Sequence, residues 1–554
     1  MRYLPLLFAI SALYAQDGSV SDGATKADWP SYGGTGLAWR YSALDQVNKS
    51  NVKKLLPAWV LQTGDYDQGL QSTPIVIDGV LYLSTTHSQV FAADAATGKV
   101  LWHYRYPVPR NASGNIQNRG IAVGAGKVFI GTFDNHMVAI DQKTGRESWN
   151  VAVNDSRQCG CNITAAPLLV KDKVIVGSAG GDGAFRGYLT ALDVKTGRLA
   201  WRFYTIPGPG EKGNETWKGD SWRYGGGATW MTGSFDPALN LVYWGTGNAA
   251  SDMYADNRFS GVGEGANLYT SSVIALDADT GKLKWHYQEI PKDVWDFDSS
   301  YECLLIDRVV KGKMRKLVVH INKSGYTWVL DRTNGEFIGA YPIVDHHTWL
   351  TGMTEDGKIL GRIEPVADKT TLICPGPMGG KSWNQVAFSP RTGLMYTPTI
   401  ETCSNSIARE QEAVEGRGYL GGSWSTDPPP GGQFYSHIDA YDPVTGKRQW
   451  SVRYPDLMLA SMLATAGDLV FTGDPEGNFF ALDAATGSKL WSFQTGAGHR
   501  GSSISYSVNG RQYIATPTGW GSIAGAGLGR TMPEGPQARG GSTLMVFALP
   551  EDSK

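Results

Sequence analysis

Ala275–Trp285 reads ALDADTGKLKW, and this phrase returns along the 554 residues. Further copies are Ala92–Trp102 (AADAATGKVLW), Ala139–Trp149 (AIDQKTGRESW), Ala191–Trp201 (ALDVKTGRLAW), Ala440–Trp450 (AYDPVTGKRQW) and Ala481–Trp491 (ALDAATGSKLW). Val329–Gly339 (VLDRTNGEFIG) is a degenerate seventh copy. Each copy predicts a β-hairpin: a short apolar strand, an Asp-led turn with Gly where the backbone needs positive φ, and a second strand ending in Trp. Upstream of each lies another apolar, β-branched pair of strands, as in Thr73–Leu83 (TPIVIDGVLYL) or around Lys173–Gly177. The unit is therefore a four-stranded sheet.

A lone four-stranded sheet cannot bury both faces, so such units stack around an axis and close into a ring. The fold class expected is all-β, an eight-bladed β-propeller with tryptophan-docking repeats. Trp59, at the end of LLPAW, supplies the eighth unit near the N-terminus. A Trp at a fixed place in each unit gives a flat anchor whose ring N–H can bond a neighbouring backbone carbonyl. Trp59, Trp102, Trp149 and Trp201 are spaced by about one blade each. The spacing widens before Trp285 and again between Gly339 and Trp450, which predicts two long insertions on one face.

The abundance of Gly (70) and Trp (19) fits many short strands and tight turns, and the copies run end to end, so residues 16–554 are read as one domain. A formal charge of −2 with no basic stripe excludes a nucleic-acid partner of the usual kind. Arg2, the apolar run Leu4–Leu13 and Ala15 read as a signal peptide over residues 1–15. No later segment reaches the roughly 18 apolar residues of a membrane span, so the expectation is an exported, periplasmic, non-spanning protein. Of five cysteines, Cys374 and Cys403 flank a strand pair and could bridge. Cys159 and Cys161 are expected to be too close for an easy bridge, and Cys303 has no evident partner. The sequence holds no C-x-x-C-H, the attachment motif of c-type haem, which implies a separate electron carrier.

Four stretches are polar, aromatic and Gly-rich, unlike ordinary strands: Gln117–Gly120 (QNRG), Gly177–Tyr188 (GSAGGDGAFRGY), Tyr224–Asn248 with GGGATW and WGTGN, and Trp295–Ser299 (WDFDS). Their acids and amides can offer oxygen ligands to a cation, or can serve only to satisfy turns.

In order and spacing these stretches, from DWPSYGGTG at Asp28–Gly36 to the last repeat, resemble the pyrroloquinoline quinone (PQQ)-dependent alcohol dehydrogenases of the methanol/ethanol type. The resemblance implies an eight-bladed propeller holding the quinone and one metal ion on its axis. It makes Arg119 the partner of a quinone carboxylate, Thr164 a hydroxyl that helps hold the quinone, and Trp230 the indole beneath it. Lys323, in HINKSG, is the cation near the reactive carbonyl, and Asp296 of WDFD the catalytic base. Asn248 and Asp182 are implied metal ligands, Asp182 standing where the family has glutamate. Gly180, Gly181, Gln71, Ser382 and Trp383 complete the implied cofactor set, with Gln71 in place of an acid and Ser382 in place of an Asn. Asp298 follows the base by two residues, as in members that use lanthanides, and a trivalent ion needs more carboxylates than a divalent one. A lanthanide is therefore favoured over calcium.

Ser113–Gly114 stand where the family has a vicinal Cys-Cys, and Leu459 stands where methanol oxidisers have a pocket Trp. Both point to an alcohol larger than methanol. The resemblance implies a soluble cytochrome c as electron acceptor and allows a homodimer. Two other readings stand beside it: a dehydrogenase of sugars or polymeric alcohols, and a non-catalytic propeller scaffold.

Overall fold

The computed structural model describes residues 23–107, 116–262, 266–521 and 540–551. The segment read as a signal peptide and the Ser113–Gly114 pair lie outside them. Among the described residues there are seven four-stranded sheets, one six-stranded sheet and two smaller ones.

Four strands between Ile75 and Tyr104 form the first sheet, and those between Ala122 and Ala152 the second. The third runs from Leu168 to Tyr204, the fourth from Ser234 to Gln288 and the fifth from Cys303 to Pro342. The sixth runs from Ala387 to Tyr454 and the seventh from Leu463 to Gln494, the latter extended by Tyr41–Ser42 and Ala24–Thr25. In the eighth, Ile504–Val508, Arg511–Thr518 and Thr543–Ala548 are completed by Leu56–Gln62 from the other end of the chain.

The repeated phrase builds the same turn in five of its seven copies. Asp94 Oδ1 accepts from the backbone N–H groups of Ala96 and Thr97 and from the Thr97 hydroxyl. Asp141, Asp193, Asp277 and Asp442 do the same in their own sheets. The turn Gly that follows has positive φ and lies under an aromatic ring of the preceding sheet. A Cβ on Gly281 (φ 69°) would stand 2.5 Å from the Trp201 ring. Glycine is needed here for both its backbone and its missing side chain.

Trp Nε1 atoms tie most sheets to the next. Trp102 donates to Gln142 O, Trp149 to Val194 O, Trp201 to Ala278 O, Trp285 to Arg332 O and Trp450 to Ala484 O, all within 3.0–3.2 Å. At the fifth sheet Gly339 leaves no indole, and Tyr341 packs over Gly446 instead, its hydroxyl 3.3 Å from Pro443 O. Trp491 packs on Phe547 between the seventh and eighth sheets, and Trp59 of the eighth donates to Ala95 O of the first. The order of sheets thus returns on itself. Apolar side chains fill the seams, one continuous cluster joining the first, second, seventh and eighth sheets.

Both cysteine pairs are oxidised. Cys374–Cys403 is bridged, and so is Cys159–Cys161, contrary to the expectation that these two stand too close. The four-residue helix Ser156–Cys159 ends at Gly160, which turns into the left-handed region (φ 60°) and sets the two Cα atoms 5.1 Å apart, a normal disulfide span. Cys303 is free and buried. No helix among the described residues is long and apolar enough to cross a membrane.

Candidate functional site: an acidic pocket facing a lysine

In each of the eight main sheets one residue stands three to five positions ahead of the innermost strand, and all but that of the eighth, Arg500, are singled out by the sequence. These are Gln71, Arg119, Thr164, Trp230, Asp298, Trp383, Leu459 and Arg500, ahead of strands that begin at Ile75, Ala122, Leu168, Ser234, Cys303, Ala387, Leu463 and Ile504. The loops entering the innermost strands therefore present one comparable position per sheet. Inner strands of the first three sheets, of the fourth and fifth, and of the sixth to eighth lie against one another in turn.

At the centre Lys323 Nζ is 2.8 Å from Asp296 Oδ2 and 2.9 Å from Asp298 Oδ2. Asp298 Oδ1 accepts from Trp230 Nε1 (3.2 Å) and from the Asn248 backbone N–H (3.3 Å). Asn248 Nδ2 donates to Asp252 Oδ1 at 2.8 Å. Oxygens of Asp182, Asp252 and Asp296 all lie within 4.8 Å of one another. Asp296 and Asp252 are buried, whereas Asp182 meets solvent, so the pocket opens on its side. Asn248 Oδ1 and Asp296 Oδ1 are buried and accept no hydrogen bond. Two unsatisfied oxygens beside a group of carboxylates fit a cation, which would offset their loss of water.

Backbone geometry holds this arrangement. Asp296 has φ 57°, and Asp293 fixes the turn by accepting from the Trp295 and Phe297 N–H groups. A Cβ on Gly247 would stand 2.6 Å from Asp298 Oδ1, and one on Gly181 would stand 3.0 Å from Asn248 Oδ1. Gly180 backs onto Gly160 and Cys161, so the short disulfide braces the loop that carries Asp182.

Burial pushes the Asp296 carboxyl well above its ordinary value, and Asp182 and Asp298 push the same way against the pull of Lys323. Burial, then the charges of Asp182 and Asp296, do likewise to Asp252. Burial would lower the Lys323 pKa, but Asp296 and Asp298 carry it well above the usual lysine range. The lysine stays charged, and the surplus of carboxylates favours protons or another cation.

Beside this pocket the Arg119 guanidinium lies 4.9 Å from both the Trp230 and the Trp383 ring centroids. Its Nη2 donates to Gln117 Oε1, while its buried Nε and Nη1 have no partner. Thr164 Oγ1 donates to Trp230 O at 3.2 Å. Tyr301 meets Trp230 edge-on at 5.6 Å. This is a flat aromatic slot with unsatisfied cationic N–H groups, which fits a planar, carboxylate-bearing molecule.

The structure therefore brings Arg119, Thr164, Trp230 and Trp383 together, and likewise Asp182, Asn248, Asp296, Asp298 and Lys323. Gln71 is buried with Oε1 unpartnered, its Nε2 3.5 Å from Gln68 O. Ser382 is nearly buried next to Trp383, its carbonyl accepting from Lys381.

Asp252 and Arg500 were not anticipated. Arg500 lies 5.3 Å from the Trp383 centroid and is discernible only from its place four residues before an inner strand. Asp252 reaches the pocket because the Asn248 loop folds back, which no local pattern announces.

The family described as "Glucose/ethanol/alcohol dehydrogenase, beta-propeller domain", with PQQ as its label, matches residues 29–356 and 454–514. A quinohemoprotein alcohol dehydrogenase of Comamonas testosteroni is 37% identical over 96% of this chain and 78% of its own length. Quinoprotein alcohol dehydrogenase PedH of Pseudomonas putida is 36% identical over 92% of this chain and 89% of its own. Among solved structures, a europium-containing methanol dehydrogenase superposes with a TM-score of 0.88 at 32% identity, covering 94% of this chain and 98% of that one. Quinohemoprotein alcohol dehydrogenase ADHIIG of Pseudomonas putida gives 0.88 at 33%, covering 95% and 81%. Fold and match together define a β-propeller oxidoreductase. The chain belongs to the family of PQQ-dependent quinoprotein alcohol dehydrogenases.

Proposed function

We propose that the chain is a periplasmic quinoprotein that oxidises alcohols to aldehydes or ketones, its eight sheets standing as eight blades around one axis. The supporting observation is the pocket itself: unpartnered Asn248 Oδ1 and Asp296 Oδ1 beside Asp182, opposite Lys323 and next to the Trp230–Arg119–Trp383 slot. A scaffold without chemistry has no need of buried, unsatisfied groups of this kind.

Trp230 would support the flat face of PQQ, and Arg119, Thr164, Gln71 and Ser382 would fix its edge. Asp182, Asn248, Asp296 and Asp298 would hold one metal ion. When bound, the quinone accepts two electrons from the alcohol carbon, and the metal acts as a Lewis acid on it. Asp296, with Oδ2 on Lys323, is the proposed base for the hydroxyl proton. Lys323 keeps its charge next to the reacting atoms and offsets negative charge that develops there. Trp230 Nε1 and the Asn248 N–H hold Asp298 in place.

Four carboxylates in one pocket favour a lanthanide over calcium. Leu459 in place of an indole favours an alcohol larger than methanol, and a soluble cytochrome c is the proposed acceptor. The test is dye-linked alcohol oxidation by the metal-free, quinone-free protein reconstituted with PQQ and either lanthanum or calcium. Activity with lanthanum is expected, and no activity with either ion would overturn the reading.

A further inference from the structure

We propose that Asp252 is a direct carboxylate ligand of the cation, in addition to Asp182, Asn248, Asp296 and Asp298. The inference rests on the cation reading above and concerns how this chain completes that site.

Asp252 is 1% exposed and lies in the same group of oxygens as Asp182 and Asp296. Its Oδ1 accepts from Asn248 Nδ2, which fixes the amide so that the unpartnered Asn248 Oδ1 faces Gly181, next to Asp182. Among the described residues no Lys, Arg or His nitrogen comes within 4.0 Å of Asp252 or Asp182, because Lys323 is turned to Asp296 and Asp298. Asp298 is differently placed: one of its oxygens serves Trp230 and Asn248, the other Lys323. Of the four carboxylates, Asp252 and Asp182 are thus the ones that form no ion pair, the charges of Lys323 and, for Asp252, Arg258 acting on them only from farther away. Asp182 is also short, and a second short carboxylate on the Asn248 side would fill the space that a longer ligand would otherwise occupy. One ammonium against four carboxylates leaves a formal surplus of negative charge suited to a trivalent ion.

The alternative is that Asp252 only orients the Asn248 amide. Asp252→Asn separates the two roles, since an amide oxygen can still accept from Asn248 but carries no charge. Metal-free full-length protein would be titrated with lanthanum and calcium by equilibrium dialysis. Terbium bound in the same site, excited through Trp230, would report its bound waters from luminescence lifetimes in H2O and D2O.

Asp252→Asn is expected to weaken lanthanum binding by about tenfold or more, calcium less, and to admit about one more water to terbium. Asp252→Glu should keep the wild-type hydration. Unchanged hydration and lanthanum affinity in Asp252→Asn, with thermal stability intact, would overturn the proposal while leaving the cation site standing. If wild-type protein bound neither ion, the cation reading itself would fall. Should Asp252→Asn not fold, Asp252→Ser is read in the same way.

Discussion

Lys323 and Asp296 meet at 2.8 Å in a buried ion pair, and Asp298 shares the same ammonium at 2.9 Å. Breaking such a pair leaves an uncompensated buried charge, so its removal costs more than its net contribution to stability. Lys323→Met is therefore expected to lower kcat by roughly a hundredfold or more while the protein still folds. Steady-state kinetics beside circular dichroism would check this, and activity within a factor of a few of wild type would refute the role given to Lys323.

The slot formed by Arg119, Trp230 and Trp383 makes a prediction about retention of the quinone. Trp230→Phe keeps an aromatic face but loses the N–H that holds Asp298, whereas Trp230→Ala loses both. Quinone affinity, followed by absorbance after dialysis, is expected to fall about tenfold to a hundredfold in Trp230→Ala and less in Trp230→Phe. Equal losses in the two would mean that the hydrogen bond, and not the ring face, matters.

Gly281 and Gly510 have similar positive φ, 69° and 74°, but only Gly281 lies beneath an indole. Gly510→Ala pays for backbone strain alone, about 1 kcal/mol. Gly281→Ala also drives a methyl into Trp201, and a loss of at least ~2 kcal/mol is expected. Denaturant unfolding of the pair would measure the difference, and equal stabilities would remove the packing argument for the turn glycine.

His437 is buried between Glu401 (3.1 Å) and Asp439, with Arg448 3.8 Å from Asp439 and Asp345, His346 and Tyr435 around Glu401. Burial would lower its pKa, but the two carboxylates raise it to about 9. Because the folded value exceeds the ordinary 6.5, the charged ring stabilises fully below pH 6.5. That contribution, ~3 kcal/mol at most, fades as the pH rises towards 9. Wild-type stability should thus fall across this window and His437→Gln should lack that slope, as urea midpoints at successive pH values would show.

The repeat was readable because its physics is local: one Asp, one Thr and one Gly close each turn, and the following Trp stands at a fixed distance. Tyr341 was not readable, since it lies two residues past the degenerate position and acts only by reaching Gly446 in the next sheet. The WGTGN and WDFDS stretches pointed to Asn248, Asp296 and Asp298, all of which meet in the pocket. Asp252 joins them through a loop whose course depends on tertiary contacts, and no spacing rule encodes that. The Cys159–Cys161 bridge departs from the expectation drawn from their separation because the left-handed Gly160 between them decides whether the sulfurs can meet. Arg500 carries its sequence signal only in its position four residues before the inner strand at Ile504, which Trp230 also holds before Ser234.

Leu56–Gln62 is hydrogen-bonded to Thr543–Ala548, so one sheet is shared between the two ends of a 554-residue chain. Synthesis delivers these strands at opposite moments. Until the later one arrives, the earlier has no partner, and the nascent molecule must wait with bare strand edges that invite mispairing. Such distant pairing is the slowest kind to form. The latch thus works as a completeness check: a chain cut short before Thr543 could fold most of its sheets and still be unable to shut.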